Sequence, residues 1–451
     1  MSVHPHLVAI FGGAVSGAEA ASQFTQRGIP CVVFEQNTLP YGKIEDGLPK
    51  WHDKLRDKEE ERINQKLSHP LVHFVPNVHL GKDVDFEDVA RNWGFSAVLL
   101  ATGAWKDRPL GIEGVDAYVG KGLVYQNPFI YWFNHKHEPG YMGEQYEIKD
   151  DAIVIGGGLA SLDVLKVLMI ESVERALKAR GIETDMFVLD RSIAKVLEEK
   201  KLTLVDLGIK GCTLYYRRRI KDMPLTPTST DTQEQLAKAE LVREKVLNNY
   251  ASKYLFHVTP LHMPVDKIVE NGRLVGLIMQ ETQIENGKAV PVPGSEKEVR
   301  SPMVISSIGS IPELIPGIPE KWGMYQVADE QVCRIKGYEN VFAIGNAVTG
   351  RGNINESLKH GKDVSERILA EYIENPVGTL TQDAIAARES AASSTVDGLI
   401  PLVRMIDVSK YTELIRRVEE LQKNRSYSGD FRAWVAKHLP VRLETLLGHA
   451  E

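Results

Sequence analysis

The stretch of sequence that decides the fold is Leu7-Val-Ala-Ile-Phe-Gly-Gly-Ala-Val-Ser-Gly17. Its apolar first half is typical of a strand in a parallel sheet, and its second half is a glycine-rich turn. A helix of small residues is predicted over Ala18–Arg27, and a second apolar strand over Cys31–Phe34 ends at Glu35. This order of strand, glycine turn, helix, strand and acid indicates a dinucleotide-binding unit.

The residue types of this unit match the physical demands of a dinucleotide. Gly12 permits the tight turn, Gly17 lets the helix pack closely on the strand, and the first N–H groups of the helix can hold a pyrophosphate. Glu35, 23 residues after Gly12, can accept a hydrogen bond from a ribose hydroxyl. Ala14 occupies the place of the usual middle glycine, so it narrows the approach of the backbone to a phosphate.

A second glycine signature follows about 145 residues later. An apolar strand is predicted over Ala152–Ile155, and Gly156-Gly-Gly158-Leu-Ala-Ser161 leads into a helix from about Leu162 to Ala179. Ser161 stands at the place of the third glycine and is still small. Two unrelated structural turns are the alternative, but the flanking strands and helices favour two dinucleotide sites. Two dinucleotides in one chain indicate hydride transfer between a nicotinamide and a flavin.

The composition narrows the class of protein. The 451 residues correspond to about three domains of roughly 150 residues each. The formal net charge of -7 gives no support for binding to nucleic acid or to an anionic membrane. With 3 cysteines and no C-x-x-C motif, a redox disulfide or a cysteine-ligated metal centre is disfavoured and a reducing cytoplasm is expected. No run of 18 or more apolar residues occurs, so no membrane-spanning helix is predicted.

From Pro5 to about Ala370 the chain resembles the two-dinucleotide flavoproteins of the adrenodoxin-reductase and glutamate-synthase-small-subunit group. Ferredoxin–NADP reductases of the adrenodoxin-reductase type are the nearest match, because the cysteine-rich iron–sulfur domain of glutamate-synthase small subunits has no counterpart here. Several motifs of the group recur in the same order. They are Pro40–Pro49, Ala101–Gly103, Tyr215–Pro224, Val290–Ser295, Ser307–Gly309 and Val341–Asn346.

The resemblance implies an α/β fold with two Rossmann-like dinucleotide-binding domains. The FAD-binding domain is expected over residues 1–104 and 335–375, split by an inserted NAD(P)H-binding domain over 105–334. A C-terminal helical extension is expected over 376–451. This extension begins with the Ala/Ser-rich stretch 384–394, and Tyr411–Lys423 shows helical periodicity. Packing of its apolar face over the core is the expected arrangement, and a partner-binding surface is the alternative.

The resemblance also implies which residues contact FAD. Asn346 replaces the aspartate of the family's Gly-Asp motif, and its amide can both donate and accept. The amides of a helix that begins within the segment 351–356 can stabilise negative charge on the reduced flavin ring. The residues predicted to bind FAD are Gly12, Ala14, Ser16, Gly17, Glu35, Gln36, Gly42, Lys43, Ile44, Val78, Ala101, Thr102, Gly103, Gly345, Asn346, Asn353, Ile354 and Asn355.

The choice of nicotinamide cofactor depends on which strand follows the second glycine turn. A strand over Met186–Leu189 would end at Asp190, an acid that favours NADH. The rival strand Thr213–Tyr216 ends at Arg217-Arg218-Arg219, whose guanidinium groups suit the 2′-phosphate of NADPH. We favour NADPH, with NADH possible and a solvated basic turn as the alternative reading of the arginines. The remaining residues predicted to bind cofactor are Gly156, Gly158, Leu159, Ala160, Ser161, Arg217, Arg218 and Gly309.

Histidine offers one candidate catalytic residue. His52 follows Gly47 by five residues, which matches the position of a flavin-proximal histidine in adrenodoxin-reductase relatives. It could orient substrate or assist proton transfer at the flavin, or it could simply pack beside Trp51. His135 and His137 lack further ligands at metal-binding spacing, so no metal is predicted.

The predicted activity is transfer of a hydride from NADPH to FAD and then of electrons to an external acceptor. A one-electron carrier such as a ferredoxin or flavodoxin is the favoured acceptor, since no redox disulfide or cluster is expected in the chain. Two alternatives stay open. The flavin could reduce a small molecule directly, as in diaphorases, or the chain could be the electron-input subunit of a larger, glutamate-synthase-like complex. Neither nucleic acid nor a membrane is expected as a partner.

Overall fold

The computed structural model describes residues 6–228, 230–350, 352–374 and 406–449. The chain divides into two compact units. The first unit comprises Met1–Leu48, Asp53–Lys106 and Ser310–Pro440, and the second comprises Pro49–His52, Asp107–Gly309 and Val441–Glu451. Residues 310–334, which the sequence placed with the inserted domain, are therefore part of the first unit.

The strands are short in both units, and most have four residues or fewer. In chain order they are β1 Val8–Phe11, β2 Cys31–Phe34, β3 Val72–Val75, β4 Ala97–Leu100, β5 Lys106–Asp107, β6 Leu123–Tyr125, β7 Ile153–Gly156, β8 Thr213–Tyr216, β9 His257–Pro260, β10 His262–Glu270, β11 Arg273–Glu285, β12 Lys288–Pro291, β13 Lys297–Arg300, β14 Val304–Ser307, β15 Ser310–Ile311, β16 Glu320–Lys321, β17 Met324–Tyr325, β18 Val327–Asp329, β19 Arg334–Ile335 and β20 Val341–Ala343.

The α-helices lie between the strands of the two parallel sheets and after the last strand. In chain order they are α1 Val15–Thr25, α2 Lys43–Asp46, α3 Asp53–Leu67, α4 Phe86–Arg91, α5 Gln126–His135, α6 Leu159–Ala179, α7 Met186–Arg191, α8 Ile193–Glu199, α9 Gln233–Tyr254, α10 Asn346–Thr349, α11 Ile354–Ile368, α12 Val408–Asn424, α13 Phe431–His438 and α14 Leu443–Leu446. Short 3-10 helices cover Lys50–His52, Val115–Tyr118 and Ile220–Asp222, and a π-helical turn covers Leu369–Glu374.

The first unit is built on a sheet in the order β18-β19-β20-β4-β1-β2-β3. The strands from β20 to β3 are parallel, whereas β18 and β19 run antiparallel to their neighbours. β1 lies between β2 and β4, with Phe11 opposite Phe34 and Leu100. All three strands are buried along their whole length because helices cover parallel sheets on both faces.

The second unit has a fully parallel sheet in the order β6-β14-β7-β8-β9. Its central strand β7 carries the second glycine turn, and Gly156 at its end lies opposite Ser307 of β14. An antiparallel sheet of β10 to β13 is inserted before β14. Two parallel sheets, each with a strand–turn–helix at its centre, confirm the predicted α/β fold with two Rossmann-like units.

Two of the C-terminal helices, α12 and α13, pack on the core of the first unit. Leu414 and Val418 of α12 are buried in one hydrophobic cluster, and Trp434 and Val435 of α13 are buried in another. The predicted packing of this segment over the core is therefore confirmed for the part that the structure describes. The Ala/Ser-rich stretch 384–394 lies outside the described residues. Within the described residues no helix is long and apolar enough to span a membrane.

The predicted strand over Met186–Leu189 is wrong, because this segment is helix α7. The side chain of Asp185 accepts a hydrogen bond from the backbone N–H of Val188, which caps the start of the helix. Asp190 pairs with the buried Lys166, and its carbonyl accepts from Tyr254. The strand beside β7 is instead β8, so the acid that would favour NADH is absent from the expected strand end.

Candidate dinucleotide-binding sites

The first glycine turn is held so closely against the sheet that side chains are excluded. A Cβ atom on Gly12 would lie 2.4 Å from the carbonyl oxygen of Ala101, and one on Gly17 would lie 1.8 Å from that of Gly12. Ala14, the N-cap of α1, makes no side-chain capping hydrogen bond. The start of α1 therefore presents backbone N–H groups at the carboxyl end of β1, where an anion can bind.

Glu35 is the acid predicted to contact a ribose, and it is buried beside the first turn. Its carboxylate accepts hydrogen bonds from the backbone N–H groups of Gly13 at 2.8 Å and of Asn37 at 2.9 Å. Burial raises the pKa of Glu35 to about 7, although these two hydrogen bonds oppose the shift. A group with hydroxyl donors would stabilise the charged carboxylate here.

The segment after Pro40 also lies against the first turn. A Cβ atom on Gly42 would lie 3.1 Å from the Cβ of Ala14. The adjacent Lys43 donates to the hydroxyl of Ser310 at 3.1 Å, and Ile44 is buried. These contacts bring the predicted residues around this point close to the first turn and to Ser310.

The remaining predicted residues of the first site follow neighbouring strands. Val78 is buried, and its N–H donates to the carbonyl of Glu35 at 2.8 Å. Gln36 comes directly after Glu35, while Thr102 and Gly103 continue from the end of β4. All of them lie near the carboxyl ends of parallel strands, the usual ligand-binding edge of such a sheet.

The Gly345–Asn346 motif closes the other side of the first turn. A Cβ atom on Gly345 would lie 2.4 Å from the hydroxyl oxygen of Ser16. The Gly345 N–H donates to Nδ1 of His360 at 3.0 Å, and burial lowers the pKa of His360, which favours the neutral ring that can accept. The amide oxygen Oδ1 of Asn346 is buried and has no hydrogen-bond partner within the described residues. A buried acceptor without a partner fits a ligand that donates, as the hydroxyl groups of FAD would.

Helix α11 begins where the sequence expected a helix near the flavin. Asn353 is its N-cap and accepts from the N–H of Glu356 at 2.8 Å, so one of the first helical N–H groups is already used. Ile354 and Asn355 form its first turn. Arg351 lies outside the described residues.

The second glycine turn uses a serine where the first uses a glycine. The Ser161 hydroxyl donates to the carbonyl of Ser307 at 3.2 Å, which ties α6 to β14. A Cβ atom on Gly156 would lie 2.3 Å from the Ser161 hydroxyl oxygen, so the two residues require each other. Gly158 is the N-cap of α6, and Leu159 and Ala160 after it are exposed at the start of the helix.

Two neighbours of this turn were not predicted from sequence. The Ser307 hydroxyl donates to the side-chain oxygen of Gln126 at 2.7 Å, and this contact spans 181 residues of chain. The ring of Tyr216, at the end of β8, covers Gly157 so closely that a Cβ there would lie 2.3 Å from it. Gly309, two residues after the end of β14, has a positive φ of 97° and open space around it.

The three arginines after β8 differ in their partners. Arg219 forms two hydrogen bonds of 2.9 Å with Asp222. Arg218 donates to the carbonyl of Gly287 at 3.0 Å, and its Nε lies 3.6 Å from Asp222. The exposed side chain of Arg217 has no hydrogen bond or ion pair with the described residues. Arg217 is therefore the guanidinium most available to a phosphate.

A further cation, Arg243 of α9, belongs to the same surface. Burial raises the pKa of the Tyr216 hydroxyl, and the charges of Arg218, Arg217 and Arg243 oppose that shift, which places all three near Tyr216. Arg243 also donates to the carbonyl of Lys221 at 2.7 Å. Its role could not be read from the sequence, because it lies on a helix remote from the glycine turn.

His52 lies in the second unit, in the 3-10 helix Lys50–His52. Its Nε2 is 3.9 Å from a carboxylate oxygen of Asp163 on α6, and one third of its side chain is exposed. Asp163 was not predicted as a site residue. His135 instead bonds Glu138 at 2.6 Å, and His137 bonds the carbonyl of Val441 at 2.9 Å.

Comparison with known proteins agrees with this geometry. The NADPH:adrenodoxin oxidoreductase of Arabidopsis thaliana is 24% identical over 350 residues, 70% of each chain. The NADPH-ferredoxin reductase FprA of Mycobacterium leprae is 22% identical over 405 residues, covering 81% of this chain and 84% of that one. The chain is similar to these reductases over most of its length. The small chain of glutamate synthase from Azospirillum brasilense is 24% identical over 378 residues, 80% of this chain and 66% of that one.

A solved structure supports the fold independently. FprA of Mycobacterium tuberculosis in complex with NADPH aligns over 94% of this chain and 91% of its own, with a TM-score of 0.65 and 19% identity. This match confirms the fold of two dinucleotide-binding units. No protein-family model matches the chain.

Replacing Glu35 by Gln should stabilise the flavin-free chain at alkaline pH. Burial raises the pKa of Glu35 from 4.5 to about 7, so the folded state holds a proton that the unfolded state releases between these values. The stability that Glu35 contributes is complete below pH 4.5 and is lost as the pH rises to 7. Glutamine mimics the protonated acid at every pH. Relative to wild type, its free energy of unfolding should rise by about 2–3 kcal/mol between acidic and alkaline pH.

Urea denaturation across this pH range measures the difference. Glu330→Gln, at an exposed glutamate of the same unit, is the matched control and should show no such trend. A difference between Glu35→Gln and wild type that does not change with pH would contradict the pKa assignment.

Proposed function

We propose that the chain is an FAD-dependent NADPH oxidoreductase that passes electrons to a ferredoxin-type one-electron carrier. The observation that carries the proposal is the pair of glycine turns, each at the centre of its own parallel sheet and each followed by a different charge. An acid, Glu35, follows the first turn and suits a free ribose hydroxyl. Arg217, a guanidinium without a partner among the described residues, follows the second turn and suits a 2′-phosphate. The homologues named for NADPH and for adrenodoxin or ferredoxin support this reading.

The first unit would hold FAD. The N–H groups at the start of α1 would face its pyrophosphate, Glu35 would accept from its ribose, and Asn346 would accept from a hydroxyl through its unpaired Oδ1. Bound FAD supplies the chemistry that the side chains lack, since it accepts a hydride and releases two electrons singly. The protein would contribute by binding and orienting the flavin, which agrees with the close backbone contacts around the first turn.

The second unit would hold NADPH. The start of α6 would face its pyrophosphate, with Ser161 fixing that helix on β14. Arg217 would pair with the 2′-phosphate, Arg218 would contribute after giving up its contact with Gly287, and Arg243 would add charge. Arg219 stays bound to Asp222 and positions the turn. The overall reaction converts NADPH and two oxidised carriers into NADP⁺, one proton and two reduced carriers.

We assign His52 a catalytic role in orienting substrate or moving a proton near the flavin. The Asp163 carboxylate, 3.9 Å away, would hold the imidazole in one orientation. The three cysteines are all buried and free, which agrees with an external electron acceptor and with the cytoplasm as the proposed compartment. Similarity to a glutamate synthase small chain keeps the electron-input subunit as the second candidate.

Arg217→Ala should weaken the binding of NADPH without weakening the binding of NADH. Loss of a charge-assisted contact with the 2′-phosphate should raise the apparent KM for NADPH by about 10- to 100-fold and change that for NADH by less than about twofold. Stopped-flow reduction of the bound flavin by each nucleotide measures both. Arg219→Ala, which removes a guanidinium already bound to Asp222, is the matched control and should affect NADPH much less. Equal losses for both nucleotides would refute the assignment.

His52→Gln should change the pH profile of turnover rather than cofactor binding. The variant keeps a polar side chain of similar reach but cannot carry a proton near neutral pH. We expect kcat to fall about tenfold and its dependence on pH to change, while the affinity for FAD stays unchanged. An unchanged profile in His52→Gln would identify His52 as a structural residue.

The isolated chain should reduce a ferredoxin with NADPH. Purified protein is expected to be yellow, to be bleached faster by NADPH than by NADH, and to pass electrons through a [2Fe–2S] ferredoxin to cytochrome c. A flavin-free preparation is the control. Direct reduction of a quinone without any response to the carrier would support the diaphorase alternative. Activity that requires a second protein subunit would support the electron-input alternative, and a chain that binds no flavin would refute the proposal.

A further inference from the structure

A cavity with several charged side chains in its lining lies in the second unit, and no residue of either glycine turn lines it. Its volume is about 580 Å³, within the usual range for small-molecule sites. It is lined by α5 and α6, by the segment 183–188 and by Leu443 and Leu447 of the C-terminal segment. Lys50 enters it from the 3-10 helix that also carries His52.

The charged residues of this cavity leave one cation unmatched. Lys136 pairs with Glu171 at 2.5 Å, and Lys178 pairs with Glu174 at 2.5 Å. Lys50 is only 6% exposed, and among the described residues no carboxylate lies within ion-pair distance of it. Its ammonium instead lies 4.6 Å from the ring centre of Phe133. A buried ammonium without an anion is costly unless a ligand supplies one.

Two neutral polar groups of the same cavity also lack partners. Nε2 of His137 lies 2.9 Å from the carbonyl of Val441 and so carries the proton, which leaves Nδ1 as an acceptor. That Nδ1 is buried and has no hydrogen-bond partner within the described residues. The hydroxyl oxygen of Thr184 is likewise buried and unpaired there. Burial lowers the pKa of His137, as does the charge of Lys50, which supports a neutral acceptor.

We propose that this cavity binds a hydroxylated monocarboxylate of about the size of a sugar acid. The carboxylate would pair with Lys50 and accept from Thr184, and a ligand hydroxyl would donate to Nδ1 of His137. A single negative charge is favoured because, among the described residues, Lys50 is the one lining lysine without an ion pair. Among the other charged side chains that line the cavity, the acidic ones outnumber the basic ones: Glu171, Glu174, Glu183 and Asp185 against Lys136 and Lys178. The second charge of a dianion would be repelled by these acidic side chains, and a neutral sugar would leave Lys50 unpaired.

Calorimetric titration of the full-length chain with D-gluconate tests the proposal. Gluconate should bind wild type at least tenfold more tightly than neutral D-glucose, trianionic citrate or hexanoate, which lacks hydroxyl groups. Lys50→Met should weaken gluconate binding at least tenfold. Lys178→Met, which removes an equal charge that is already paired with Glu174, is the matched control and should change binding by less than about threefold.

A folding defect is not expected in this variant, because Lys50→Met removes a buried charge and keeps most of the length of the side chain. Its thermal midpoint should therefore equal or exceed that of wild type. Thr184→Val, which removes only a hydroxyl, should weaken gluconate about three- to tenfold. No measurable binding to wild type, or equal binding to wild type and Lys50→Met, would overturn the proposal. Equal affinity for hexanoate and gluconate would overturn its hydroxyl requirement. None of these outcomes depends on flavin or NADPH.

Discussion

The close approach of Gly17 to the Gly12 carbonyl is the constraint on which the first unit depends. A Cβ atom on Gly17 would lie 1.8 Å from that oxygen, so any side chain would push α1 away from β1. Only with α1 in this position can Ser16 lie against Gly345 and Gly13 donate to Glu35. One backbone contact thus fixes the positions of the helix start, of Glu35 and of the Gly345–Asn346 segment.

In the second unit the helix is also held close to the sheet, but by a different contact. Ser161 replaces the packing glycine, and its hydroxyl bonds the carbonyl of Ser307 on the neighbouring strand. The glycine requirement moves to Gly156, where a Cβ would lie 2.4 Å from the Ser307 carbonyl oxygen. A hydrogen bond therefore ties helix to sheet in the second unit, where close contact alone does so in the first. Each solution leaves the helix start without a side-chain cap, which is the property that phosphate binding needs.

The sequence predicted what local pattern controls and missed what distant contacts control. Both glycine turns and the alternation of strands and helices follow from neighbouring residues, and the predicted fold is confirmed. The strand over Met186–Leu189 was wrong because a capping Asp185 and a partner on α6, Lys166, favour a helix there. Arg243 and Gln126 join the second site from remote elements, so no spacing near the turn could reveal them. The assignments of cofactor atoms to these residues stay predictions.

Cations without a partner among the described residues support the two proposed anion sites more directly than the net charge of -7 does. Arg217 is exposed, so water solvates it at little cost and its lack of a partner leaves it ready to bind without straining the fold. Lys50 is buried, and burial lowers its pKa to about 7 and destabilises the charged form, with the charge of Lys136 adding to the shift. An anion that binds Arg217 forms an ion pair with a guanidinium that is already charged. An anion that binds Lys50 also favours protonation of the ammonium. Ligand binding at Lys50 should therefore be coupled to proton uptake near neutral pH, within the helix that carries His52.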